Sequence, residues 1–199
     1  MFVLETFKDE IEIKPYQFGS NLKQQIALII NKKFSNLVIY NVGLAMLLHD
    51  IINIEKNVIM TGSASCYCLV KFRLVIFRPA ISEIITGRIY KSTKDGVYVT
   101  INFFQDILIR PEHCQQPYRF DDIEKLWVWE YSDDNSDEEA ETQEKHDMFM
   151  ELNQEIRLRV IDETFTKLNP SEIDKGVPYQ LSGSINEYGL GLVSWWQNV

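Results

Sequence analysis

The chain has 199 residues, 45% of them hydrophobic and 12% aromatic, and a formal net charge of −9. That composition fits a globular protein with a sizeable core, in one large domain or two small ones. It excludes a membrane-crossing run, because Asn41, His49 and Asp50 interrupt the longest apolar candidate, Leu37 to Ile54.

The charge is unevenly placed. Nine acids against Lys145 lie between Glu130 and Asp147, which leaves 20 acids and 19 bases for everything else. Between Lys71 and Arg119 the sign reverses, with eight bases and four acids. A polyanion would sense that local excess rather than the total. Cys66, Cys68 and Cys114 have neither disulfide-framework nor zinc-ligand spacing, so a reducing compartment is expected. His49, His113 and His146 are scattered. No metal or cofactor site and no catalytic residues are expected.

In chain order, Phe2 to Ile13 reads as a strand rather than a signal peptide, and Pro15 and Gly19 end it. Ser20 or Asn21 can cap a helix over Leu22 to Phe34, with Leu22, Ile26, Ile29, Ile30 and Phe34 on its inward face. Strands follow at Leu37 to Tyr40, Gly43 to Ile54 and Tyr67 to Phe77, the last two separated by the loop Thr61 to Ser65. Pro79 lacks a backbone donor and holds Arg78 extended, which places a domain joint here. Two domains are expected, 1–79 and 80–199.

Beyond the joint the pattern is short strands only. Ile85, Gly87 and Ile89 share one face, and Val97, Val99 and Ile101 share another after the turn at Asp95-Gly96. Ile107 to Ile109, the alternation at Ile156, Leu158 and Val160, and Tyr179 to Ile185 complete five strands with a long connection after the third. That arrangement describes an OB-type barrel. Loop insertions are expected at 130–147, the acidic run, and at 166–178. The fold class is therefore α+β: an N-terminal α+β domain of RNP-like type, then an all-β barrel.

Arg88, Tyr90, Lys91, Lys94, Tyr98, Arg157 and Arg159 form an outward set of bases and rings on neighbouring strands. Single-stranded nucleic acid calls for that mixture, since cations follow phosphates while rings stack on bases. An ordinary amphipathic barrel face would look the same. The acidic run has no apolar frame to hold a catalytic geometry, so a nuclease reading has little behind it. Trp195 and Trp196 close the chain and must dock on the protein's own domain joint or on a partner.

The segments Gly87-x-Ile89, Gly96-Val97-Tyr98-Val99 and Asp106-Ile107-Leu108-Ile109-x-Pro111-Glu112 resemble an S1-type OB barrel. Before them, Asn41-Val42-Gly43-Leu44, Tyr67 to Phe77 and Arg78-Pro79 resemble the tip domain of RNA polymerase stalk subunits. Phe103-Phe104-x-Asp106, Trp127-Val128-Trp129-Glu130-Tyr131 and Gly189 to Trp196 are similar to the larger stalk subunit of eukaryotic RNA polymerase III. That family includes the seventh subunit of polymerase II and the corresponding archaeal stalk protein.

The resemblance implies a nuclear, noncatalytic subunit that pairs with a smaller helical stalk protein. It would sit on the RNA polymerase III core near the RNA exit and work with initiation factors. By the same resemblance, the loop Thr61, Gly62, Ser63 and Ala64 anchors to the core. Phe77, Arg78 and Pro79 receive the smaller partner, as Trp195 and Trp196 would if they face outward. Strongly RNA-binding S1 domains carry an aromatic before the second strand's glycine and a histidine in the third strand. Asp95 and Ile109 stand there instead, so contact with nascent RNA is expected to be weak, salt-sensitive and dominated by the bases. The alternative is a free-standing S1-type factor for single-stranded RNA.

Overall fold

The alternation that opens the chain becomes β1 (Phe2–Ile13), followed by α1 (Leu22–Phe34), β2 (Leu37–Ile39), β3 (Gly43–Ile59) and β4 (Cys66–Phe77) in the computed structural model. The structure describes residues 1–18, 21–59, 62, 64–132, 145–167 and 176–196. The chain divides into two compact units, Met1–Pro79 and Ala80–Val199.

The first unit is a four-stranded antiparallel sheet in the order β1-β4-β3-β2, with α1 against one face. The Asn21 side chain accepts from the Lys23 amide and caps α1, while Lys32 and Lys33 sit in its last turn, where the helix dipole favours positive charge. Ile26 and Ile30 are fully buried against Ile11, Ile13, Val70, Phe72 and Leu74, with Ile29 and Phe34 at the margin. Leu22, expected on the inward face, is instead exposed at the helix start.

β3 continues five residues past the expected Ile54. It pairs with β4 through four register shifts, between Ala45 and Leu47, Leu48 and Asp50, Ile51 and Asn53, and Ile54 and Lys56. Each shift inserts one residue, so Ala45, Leu48, Ile51 and Ile54 meet Ile76, Leu74, Phe72 and Val70 on the helix-covered face. A spacing of three on β3 thus matches a spacing of two on β4. Bulges repeated at this interval bend and twist the strand along its whole length.

The second unit closes five strands into a barrel: β5 (Ile84–Thr93), β6 (Gly96–Thr100), β7 (Ile107–Ile109), β11 (Glu155–Phe165) and β12 (Tyr179–Ser184). β5 pairs with β6 and β11, β6 with β7, β11 with β12, and β12 runs parallel to β7. This is the OB order. Ile85, Ile89, Val97, Val99, Ile107, Ile109, Ile156, Leu158, Val160 and Leu181 fill the interior. Gly96, at φ 143°, opens β6, and a Cβ there would lie 2.2 Å from the Ile109 carbonyl oxygen, so the turn closes only with glycine.

Between β7 and β11 the expected long connection is partly a second sheet. β8 (Tyr118–Asp121), β9 (Leu126–Ser132) and β10 (Lys145–Phe149) form an antiparallel meander in which Trp129 faces both Tyr118 and Met148. The acidic run therefore begins and ends inside strands, with Glu130 on β9 and Asp147 on β10; residues 133–144 lie outside the described set. Trp127 ties this sheet to the barrel, because its Nε1 donates to the Thr93 carbonyl and its ring meets Tyr118 and Phe120. The second loop is pinned where the Thr166 amide donates to the Pro178 carbonyl; residues 168–175 lie outside the described set. β13 (Gly191–Leu192) adds to β11 and leads into a 3-10 turn, Val193–Trp196.

Candidate nucleic-acid interface

Pairing across β6, β5 and β11 brings most of the outward set into one row. Lys91 lies opposite Tyr98, Arg88 opposite Thr100 and Glu155, Thr86 opposite Arg157, and Ile84 opposite Arg159. A bulge between Ile89 and Lys91 breaks the alternation and leaves both Tyr90 and Lys91 exposed. The two tyrosine rings meet edge to face at 6.2 Å, and the Lys91 ammonium sits 5.3 Å from the Tyr98 ring centre. A ring pair with a cation over one face can stack a base and hold its phosphate. Lys94, at the turn, pairs with Asp122 at 2.6 Å and lies 5.9 Å from the Phe120 ring.

The β11 arginines behave differently from expectation. Arg159 is half-buried; its Nη1 donates to the Ser82 carbonyl at 3.0 Å and its Nη2 pairs with Glu187 at 2.7 Å. Arg157 Nη1 donates to the Gly189 carbonyl at 3.5 Å. The segment between β12 and β13 covers this strand, so both guanidinium groups serve the chain's own carbonyls and carboxylate before any phosphate. Sequence inspection also missed two acids. Glu155 faces Arg88, and Asp106 is close enough to raise the Tyr90 pKa, although burial is the larger cause of that rise. Burial raises the Asp106 carboxyl as well.

The residues assigned to partner or core contact separate into four groups. Gly62 and Ala64 are exposed at the tip of the β3–β4 hairpin, Gly62 with φ 87°, beside exposed Val58 and Ile59; Thr61 and Ser63 lie outside the described residues. Phe77 is fully buried, its ring 5.7 Å from that of Phe2, and Pro79 is buried too, so neither offers a side chain to a partner. Arg78 is half-buried and donates to the Asn41 carbonyl. What the first unit does expose is an apolar row that the sequence reading overlooked. Leu4 and Leu47 flank Val75, and Phe2 flanks Phe77, on the sheet face opposite α1. The alternation in β1 could have revealed Phe2 and Leu4; Leu47 joins them only through the bulge that pairing with β4 creates in β3.

Trp195 and Trp196 dock inside the second unit rather than at the domain joint. The Trp195 ring meets Trp129 of β9 at 5.2 Å, and Trp196 donates its Nε1 to the Leu190 carbonyl while meeting Tyr188 at 4.6 Å. Both remain half-buried.

The family model described as RNA polymerase III subunit Rpc25 matches residues 83–176, a stretch that spans β5 to β11. Along 98% of its length the chain is 42% identical to DNA-directed RNA polymerase III subunit RPC8 of Bos taurus, covering 98% of that protein. The chain belongs to the RPC8 family. Within the RPC8 family it is also 34% identical to the Schizosaccharomyces pombe protein, over 99% of this chain and 100% of that one. Similarity extends to archaea: DNA-directed RNA polymerase subunit Rpo7 of Sulfolobus acidocaldarius is 23% identical over 66% of this chain and 72% of its own. RPC8 membership accounts for a tip unit followed by an OB barrel in one chain.

Proposed function

We propose that this chain is the larger, noncatalytic stalk subunit of a nuclear RNA polymerase III. The observation that carries the reading is the end-to-end match with RPC8, which spans both units rather than the barrel alone. In this role the hairpin tip at Gly62 and Ala64, with Thr61 and Ser63, anchors to the polymerase core. The apolar row of Phe2, Leu4 and Leu47 supports pairing with a smaller helical stalk subunit, since solvent-facing apolar clusters of this kind are interaction surfaces. The pair assists transcription initiation alongside initiation factors. Tyr90, Tyr98, Lys91 and Arg88 give the barrel a modest contact with nascent RNA. Glu155 and Asp106 beside them, and the engagement of Arg157 and Arg159, argue for weak and salt-sensitive binding.

The test is affinity purification of the tagged chain from nuclear extract in moderately high salt, with companions identified by mass spectrometry. Recovery of the large polymerase III subunits and one small helical protein in equal amounts is expected. Recovery of the chain alone, or only with RNA that nuclease removes, would overturn the reading in favour of a free-standing RNA-binding factor.

A further inference from the structure

Cys66 and Cys68 lie two residues apart at the start of β4 and therefore share a face, the one packed against α1. Their Sγ atoms are 3.8 Å apart. Cys68 is fully buried, opposite Ile11 of β1 and Asn57 of β3. Cys66 is half-buried and opens the strand, opposite Ile13 and Ile59, the last residues of β1 and β3. Just before it in the chain, Gly62 and Ala64 are exposed. One sulfur can thus be reached from outside, and the other only through the first.

Two thiols in contact suit few chemistries. Structural zinc takes four ligands, and among the described residues no third His, Cys, Asp or Glu joins the pair. A bond between the two sulfurs needs no further group. Strand residues rise about 3.3 Å each, which sets these two Cα atoms about 6.6 Å apart, at the long end of the roughly 4.4–6.8 Å that disulfides span. A bridge there forms under strain, and strain makes a disulfide easier to reduce. That marks a reversible bond rather than a permanent staple, in keeping with the reducing compartment expected for this chain.

The difference between the two thiols orders the steps. Burial, with the hydrogen bond and charge of Cys66, pushes the Cys68 thiol up to about 11, so Cys68 stays protonated and Cys66 reacts first. Cys66 loses its proton to solvent and its Sγ attacks a small disulfide such as oxidised glutathione; the S–S bond breaks and one small thiolate departs. Once Cys66 is bonded in this way, its own contributions to the raised Cys68 pKa end. Cys68 then gives up its proton and its Sγ attacks Cys66 Sγ, releasing the second small thiolate. In sum, two protein thiols and one small disulfide become one internal disulfide and two small thiols. An excess of the small thiol runs the same steps backwards.

We propose that Cys66 and Cys68 are a site of reversible oxidation, at which a small-molecule disulfide closes a bridge within β4 and loosens the root of the β3–β4 hairpin. Gly62 and Ala64 stand at the tip of that hairpin, so any consequence for core anchoring rests on the stalk reading; the oxidation itself does not.

The purified full chain would be held in oxidised glutathione at neutral pH, quenched, unfolded and treated with N-ethylmaleimide for mass spectrometry. All three cysteines are free, so the reduced chain takes three maleimides. The oxidised chain should take one, at Cys114, and its peptide containing Cys66 and Cys68 should be lighter by two hydrogens. Excess reduced glutathione should restore all three thiols. Amide exchange from Cys66 to Leu69 should quicken several-fold on oxidation, while exchange in the barrel stays unchanged. Cys68→Ala should stop at a mixed disulfide, with glutathione retained on Cys66, and Cys66→Ala should leave Cys68 a thiol. Both readouts on the wild-type chain hold whether or not Cys68→Ala folds. A wild-type chain that keeps all three thiols, stops at the mixed disulfide or joins Cys66 to a second chain would overturn the proposal. So would unchanged exchange in β4 after the bridge has formed.

Discussion

Gly191→Ala tests whether the closing aromatics are built into the fold. Gly191 has φ 97°, and a Cβ there would lie 2.7 Å from Cζ3 and 2.8 Å from Cε3 of Trp195. Alanine therefore meets two costs. Backbone strain at positive φ is about 1–2 kcal/mol. Moving the rigid indole off Trp129 forfeits an aromatic pair worth about 0.5–1.5 kcal/mol, with further loss of buried area. The sum is about 2–4 kcal/mol. Gly189, with φ 82°, provides the control, because a Cβ there meets nothing within 4 Å, and Gly189→Ala bears the strain alone. All four tryptophans, Trp127, Trp129, Trp195 and Trp196, lie in the second unit, so urea unfolding followed by their emission reports that unit. Gly191→Ala should lower the midpoint more than Gly189→Ala and red-shift the native emission, which Gly189→Ala should not. Equal losses with unshifted emission would refute the packing argument.

Tyr98→Ala should reduce RNA crosslinking to the barrel several-fold, in line with about 1–3 kcal/mol per stacked base, whereas Arg159→Ala should lower stability more than crosslinking; the reverse ranking would move the RNA face to β11. Phe77→Ala should cost about 3–5 kcal/mol of stability as a core truncation, read by thermal unfolding, whereas Leu47→Asp should leave stability near wild type and weaken capture of the small stalk partner in a pull-down. Asp50 accepts from Arg73 Nε and Nη2 and from His49, which together hold its carboxyl well below the usual carboxylate range. A depressed folded pKa contributes stability above the unfolded value of about 3.9 that is lost as pH falls below it, so Asp50→Asn should flatten the acid side of the unfolding profile, slightly, since the pair is solvent-screened. Burial pushes the Cys114 thiol up to about 12, and burial with the nearby Cys66 pushes Cys68 up to about 11; iodoacetamide should therefore label Cys66 first in the folded chain, as mass spectrometry would show.

α1 was legible because its apolar spacing and its Asn21 cap are both local, and the barrel strands were legible because Ile85, Gly87 and Ile89, or Ile156, Leu158 and Val160, keep a strict period of two. β3 was harder to follow. Ala45, Leu48, Ile51 and Ile54 recur at three, a spacing that belongs to no regular strand, and only pairing with β4 turns it into a bulged one. The β8–β10 sheet was hidden for a related reason. Trp127-Val128-Trp129 is strand-like alone, but which neighbours it pairs with depends on partners on both sides in sequence.

The candidate site divides along the same line. That Tyr90 and Tyr98 face outward follows from the alternation of two strands joined by a tight turn; that Lys91 joins them depends on the bulge between Ile89 and Lys91. That Arg159 belongs to Ser82 and Glu187, residues 77 and 28 positions away, follows from no local spacing. By itself the sequence determined α1 and the five barrel strands, and it set the expectation of a joint at Pro79, because side-chain period and proline geometry act over a few residues. Only the tertiary structure decided which cations stay free for a ligand, which phenylalanine is core and where the last two tryptophans rest. Those outcomes depend on which distant groups desolvate and satisfy one another, and no local pattern carries that information.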